Sequence, residues 1–132
     1  AAGDTLPGRS LGKLLADAET TDCRALCVGP DGTVWAGVAA TYKGRDPSLH
    51  LVSYRPGDAA PRDHGPLAIR NPDYTTFVGA DGKPLPWHYG VYKTESGVLV
   101  PRYVIMGICA TRDRKVYLTT LYPFTLHEIR VR

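Results

Sequence analysis

Long apolar runs are missing from this chain: none approaches the roughly 20 residues that a membrane-spanning helix needs. Charge of one sign is not concentrated either. Sixteen basic and 13 acidic residues leave a net charge of +3, and the nearest thing to a basic stripe is Arg130-Val131-Arg132, which reads as a solvated strand end. Neither a membrane nor a nucleic acid is therefore expected as a partner. Cysteine is scarce, with Cys23, Cys27 and Cys109 alone, and an odd count excludes a complete disulfide framework. Cys23 and Cys27 stand four apart in a predicted strand, about 13 Å along it, too far to bridge. All three are expected to be small buried hydrophobes. The motifs G-x-S-x-G, H-E-x-x-H, C-x-x-C, the P-loop and the EF-hand spacing are absent. No metal and no cofactor is expected.

What is abundant is turn-forming residues. Glycine (14) and proline (11) break 132 residues into short stretches, and eight tyrosines favour strands between them. Residues 1–23 are the least defined part, the N-terminal segment and connection. Ser10 either caps a short helix through Leu11, Leu14 and Leu15, or the segment is a strand and connection. The chain opens on Ala1 instead of Met, so the expectation is a removed leader, and hence export, or a piece of a longer protein.

Beyond that the alternation is clear. Arg24–Gly29 and Thr33–Thr41 flank Pro30-Asp31-Gly32, whose Asp-Gly suits the positive φ of a hairpin turn. "YKGRDP" reads as a polar loop, "SLHLVSYR" (48–55) as a third strand, "PGDAAPRDHG" as a loop and Pro66–Arg70 as a short fourth strand.

The chain also repeats itself. Displaced by 82 residues, "LCVGPDGTVWAG" lies over "ICATRDRKVYLT" without a gap, so that Cys27 meets Cys109, Asp31 meets Asp113 and Trp35 meets Tyr117. With five residues deleted from the next loop, "SLHLVSY" lies over "TLHEIRV", bringing His50 to His127 and Val52 to Ile129. The unit is strand, DG turn, strand, loop, strand, with a fourth strand in the first copy. The second copy carries Arg114 where the first has the turn glycine.

This unit resembles a β-propeller blade. "GPDGTVWAG" looks like the blade signature of the streptogramin-lyase, sugar-lactonase and two-component-regulator propellers, in which such a turn joins the first two strands. The resemblance covers about 24–70 and 103–132. It implies an all-β fold of about two antiparallel, four-stranded blades with a long insertion between them; the alternative is a small β-sandwich. The expected organisation is the N-terminal segment 1–23, a first blade 24–70, an aromatic-rich insertion 71–102 and a second, incomplete blade 103–132. Because propellers close with about four to eight blades, the expected partners are the remaining blades of a larger propeller or copies of the same chain. Metal sites of the lactonase and lyase relatives draw His, Glu and Asn or Asp from several blades, and none carries over to these residues.

The expected ligand face of such a fold holds the loop after the second strand, with Tyr42 and Arg45, and the insertion. The insertion carries Tyr74, Trp87, His88, Tyr89 and Tyr92, with Arg70, Asp73 and Arg102 at its roots. Flat rings with hydrogen-bonding edges suit a carbohydrate or a protein ligand; the same rings also suit a small core beneath a long loop. His50 and His127, at matched positions, are expected to be structural. Asp63-His64 suits a base-orienting pair or a metal ligand, and Asp63 equally caps a turn. Three functions follow as expectations: a non-catalytic propeller segment that recognises a ligand, a portion of a lyase- or lactonase-type enzyme acting on a sugar-like or cyclic ester substrate, and a blade unit that assembles into a ring.

Overall fold

The first Asp-Gly turn behaves as its chemistry dictates. Asp31 Oδ1 accepts the Thr33 amide at 3.0 Å and the Thr33 hydroxyl donates to Oδ2 at 2.9 Å, while Gly32 takes φ 82°. The Gly29 amide closes the turn on the Thr33 carbonyl at 2.7 Å. A computed structural model of the chain describes residues 3, 5–68, 80–83, 91–93, 99–101, 105–120 and 125–132. Around this turn, β1 (Thr20–Val28) and β2 (Val34–Tyr42) form a hairpin, and β3 (Arg45–Tyr54) and β4 (Arg62–Pro66) continue it into a four-stranded antiparallel sheet in sequence order. A separate pair, β5 (Val91–Lys93) and β6 (Leu99–Pro101), follows, and β7 (Ile105–Ala110), β8 (Lys115–Thr120) and β9 (Thr125–Arg130) make a three-stranded antiparallel sheet. The fold is all-β, with antiparallel, blade-like sheets.

Several expectations shift. Among the described residues no helix forms, so Leu14 and Leu15 belong to irregular chain and β1 starts at Thr20. "YKGRDP" is a tight turn, not a loop: Tyr42 pairs with Arg45 across Lys43-Gly44, and Gly44 supplies the positive φ of 72°. The fourth strand is Arg62–Pro66 rather than Pro66–Arg70. Its polar sequence hides it, because Asp63 and His64 find cross-strand partners that the sequence does not display. The cysteines are not buried hydrophobes: Cys23 and Cys109 are exposed and Cys27 is half-buried. Cys23 falls in the β1 bulge between Asp22 and Ala25, and Cys109 shares the outward face of its sheet with Tyr117.

The repeat is real at the level of backbone pairing. Val28 pairs with Val34 and Cys27 with Trp35 in the first hairpin; Ala110 pairs with Val116 and Cys109 with Tyr117 in the second. The Thr111 amide closes the second turn on the Lys115 carbonyl at 2.9 Å, matching Gly29 and Thr33. Arg114 adopts φ 61°, the conformation of Gly32 at the same turn position. The third strands match less simply. Val34 faces Tyr54 whereas Val116 faces Ile129, so Ile129 takes the place of Tyr54 and not that of Val52. His50 and His127 are therefore two residues out of step. An even step keeps every side chain on its own face, which is why the alternation still matched.

Both faces of the first sheet are covered. On one, Leu15 with Leu14 and Ala18 packs over Ala36, Val38, Ala40 and Val52. On the other, Ala25 and Leu49 meet Leu118, with Ala39, Ile108 and Ile129 around them. A strand buried on two faces cannot show simple alternation, and β2 accordingly runs Ala-Gly-Val-Ala-Ala through its middle, small enough for both layers to approach. β7 lies beside β1, so the two hairpins stand next to each other with their turns at the same end.

Candidate functional site

Two of the sequence-selected residues, Tyr42 and Arg45, come together, but in a network that holds the fold. The Arg45 guanidinium lies 4.0 Å over the Tyr42 ring and reaches Asp17 at 2.8 Å, tying the N-terminal segment to β3. The Tyr42 hydroxyl meets His50 Nε2 at 3.0 Å, Ser48 Oγ meets the same nitrogen at 2.7 Å, and His50 Nδ1 lies 3.0 Å from both Asp63 oxygens. Ser48 and His50 share one face of β3 because they are two apart. The hydroxyl–imidazole–carboxylate order is that of a nucleophile, base and orienter. His50 is only 7% exposed, however, and neither it nor Ser48 lines either of the two clefts described below. The arrangement satisfies a buried imidazole. Asp63 thus serves His50 as well as accepting the Gly65 amide at 2.8 Å.

Arg70, Asp73, Tyr74, Trp87, His88, Tyr89 and Arg102 lie outside the described residues. Tyr92 pairs through its backbone with Val100 in the β5–β6 hairpin.

A cleft of ≈ 600 Å³ opens at the other end of the sheets, where the two hairpin turns meet the start of β4 and the end of β9. It lies opposite the Tyr42–Arg45 turn, the face on which the blade resemblance placed ligand contacts. Its aromatic wall is Trp35, with the His64 ring stacked at 5.4 Å between centroids and Ser53 Oγ 2.7 Å from His64 Nε2. Gly29 makes room for this: a Cβ there would come within 3.2 Å of the Trp35 indole nitrogen and 3.3 Å of Ala110. Burial, and then the neighbouring Arg62 charge, hold His64 below the ordinary histidine value, against an opposing pull from Asp63. A neutral ring suits its hydrogen bond with Ser53.

Cations crowd the rim. Arg55, Arg62, Arg112, Arg114, Lys115 and Arg132 line the cleft against the carboxylates of Asp31 and Asp58. Arg55 reaches Asp31 at 3.5 Å, and Lys115 is held by Asp113 at 3.4 Å and Glu128 at 3.5 Å. Arg62, Arg112 and Arg114 have no carboxylate partner among the described residues, and the Trp35 indole N–H has no acceptor among them. The cleft is therefore electropositive, with hydrogen-bond donors left over. Sequence reading missed it because its residues come from four separate segments. The usable signal was the basic run Arg112-Asp113-Arg114-Lys115 in the second turn, once the repeat sets that turn beside the first.

A wider groove of ≈ 1100 Å³ continues between β4 and β9, sharing Arg62 and His64 and adding Leu67, Leu126 and Ile129. Among the described residues no group of three or more His, Cys, Asp or Glu side chains is placed to share a metal ion, and no helix is long and apolar enough to cross a membrane. Compared with protein-family models, curated proteins and solved structures, the chain matches none.

Proposed function

We propose that the chain is a non-catalytic recognition scaffold built from propeller-type blades, and that the ligand is held in the cleft between its two hairpin turns. One observation carries this reading. Two hairpins with the same pairing, the same turn closure and the same positive-φ position stand side by side, so that their turns wall one concavity. Ligand sites collect where rigid elements present loops at a shared edge. Here the loops are short, hydrogen-bonded turns, which keeps the donors in place before a ligand arrives. The insertion 71–102 remains a proposed second contact region for a carbohydrate or protein.

Mapping by nuclear magnetic resonance tests the reading. Labelled chain is titrated with sets of saccharides, short peptides and small anions, and amide shifts are followed. Perturbations should cluster at 29–33, 53–64 and 110–115. Perturbations confined to Tyr42–Arg45 and 71–102 would move the site to the residues that the blade resemblance selects, and no perturbation by any ligand would sink the proposal.

The outer faces favour a second component of the same reading. Leu26 and Val28 are 62% and 65% exposed on β1, on the face that Leu15 covers only elsewhere, and Leu126 is 67% exposed on the far side of the second sheet. Further blade-like sheets, from a longer chain or from copies, would cover them. Light scattering should show concentration-dependent association that Leu26→Asp abolishes. A constant monomer mass would rule out assembly through copies.

A further inference from the structure

We infer that the turn-end cleft is an oxyanion site, taking a multiply charged phosphate or sulfate group with Arg62, Arg112 and Arg114 as its charge partners. The inference rests on the recognition reading above and names the chemical class of the ligand.

Solvated arginines on a protein surface are ordinary and carry no such meaning alone. Four features separate these. They converge from different parts of the chain, Arg62 from the start of β4 and Arg112 and Arg114 from the second hairpin turn, onto one concave volume. Among the described residues they have no carboxylate partner although Asp31, Asp58, Asp113 and Glu128 stand nearby, because those carboxylates are engaged elsewhere: Asp31 with Thr33 and Arg55, Asp58 with the Arg55 amide, Asp113 and Glu128 with Lys115. Arg114 occupies a left-handed backbone position, φ 61°, that its counterpart fills with glycine. A side chain kept at a strained position points to a use for that side chain. Finally, the Trp35 indole N–H stands in the same cleft without an acceptor among the described residues.

The charge count selects the ligand. Three guanidiniums have fifteen N–H donors between them in planar forks, a geometry that fits the oxygens of phosphate or sulfate in pairs. A single carboxylate would satisfy one fork and leave two cations facing each other. A tetrahedral dianion offers enough oxygens for all three, with one left for the indole N–H. Burial and the Arg62 charge push the His64 value down, and a bound anion beside it would draw that value back up.

The chain is titrated calorimetrically with inorganic phosphate, inorganic sulfate and phenyl phosphate, each against chloride at the same ionic strength. Saturable binding of at least one of them in excess of chloride is expected. Arg62→Gln and Arg112→Gln should each weaken it about tenfold, the usual consequence of losing one charge-assisted hydrogen-bonded contact. Tighter binding of phenyl phosphate than of the free ions would identify an ester as the source, and equal binding would identify the free ion. Arg114→Gly should weaken binding while the fold becomes no less stable, which a purely structural arginine would not do. Binding no stronger than that of chloride, or variants that bind as the parent does, would overturn the inference. If a neutral saccharide or peptide still perturbs the turn amides in that case, the recognition reading stands and only the oxyanion assignment falls.

Discussion

Arg114→Gly should make the protein more stable, although it removes a large side chain from a cleft. Arg114 holds φ 61°, and the left-handed region costs an L-residue roughly 1–2 kcal/mol relative to the right-handed one. Glycine escapes that cost. It also gives the unfolded chain more freedom, which takes back about 0.4–1 kcal/mol. The difference is a net gain of roughly 0.5–1 kcal/mol. With a urea m-value of about 1.5 kcal/mol/M, the midpoint should rise by about 0.3–0.7 M. The control is Arg114→Ala, which deletes the same charge and side chain but keeps the backbone cost, so the Gly-minus-Ala difference reports backbone alone. The first turn supplies the mirror experiment. Gly32 sits at φ 82° with no atom within 4 Å of a built Cβ, so Gly32→Ala meets no clash and should lose the same roughly 0.5–1 kcal/mol through conformation only. If Arg114→Gly proves no more stable than Arg114→Ala, the strain assigned to that turn is not there.

Three other outcomes can be measured on the same folded chain. Leu118, 1% exposed and packed between the sheets against Ala25 and Leu49, should cost about 2–5 kcal/mol when cut to alanine; a loss well under 1 kcal/mol would mean the sheets are not packed through it. Asp63→Ala strips both acceptors from Nδ1 of the buried His50 and should lower stability by about 1–3 kcal/mol. Asp63→Asn, which keeps an acceptor, should lose less, and equal losses in calorimetric melts would refute the hydrogen-bond account. His64 is shifted below the ordinary histidine value by burial and then by Arg62, and His127 by burial. A folded-state value below the unfolded one means the contribution is complete above the unfolded value of 6.5 and is lost as pH falls through the lower folded value. Urea midpoints should therefore decline on the acid side, and His64→Gln should flatten that decline. An unchanged slope in the variant would refute the downward shift assigned to His64.

The local rules were readable from residues close together in the chain. Asp31-Gly32 announces its turn because the carboxylate bonds an amide two residues on and glycine accepts the positive φ. The matched hairpin pairs followed from self-similarity at 82 residues. β4 was unreadable because "RDHGP" is polar, and what makes it a strand is partnership with His50, Ser53 and Trp35 on other strands. The third-strand register slipped by two because period-two alternation cannot distinguish even displacements.

Burial was decided only by the assembled layers. Leu49, His50, Leu51 and Val52 are all buried, against the single inward face that a half-exposed strand would show, since the N-terminal segment covers one side and the second sheet the other. The candidate site shows the same division. Strands, turns and a repeat could be read along the chain, because backbone preference and hairpin chemistry act within a few residues. That two turns 82 positions apart share a cleft with β4 is a product of packing: Leu118, with the half-buried Ile108 and Ile129, seats the second sheet against Ala25 and Leu49. Three arginines that look like solvated surface charge in the sequence are gathered by that burial into one positive concavity.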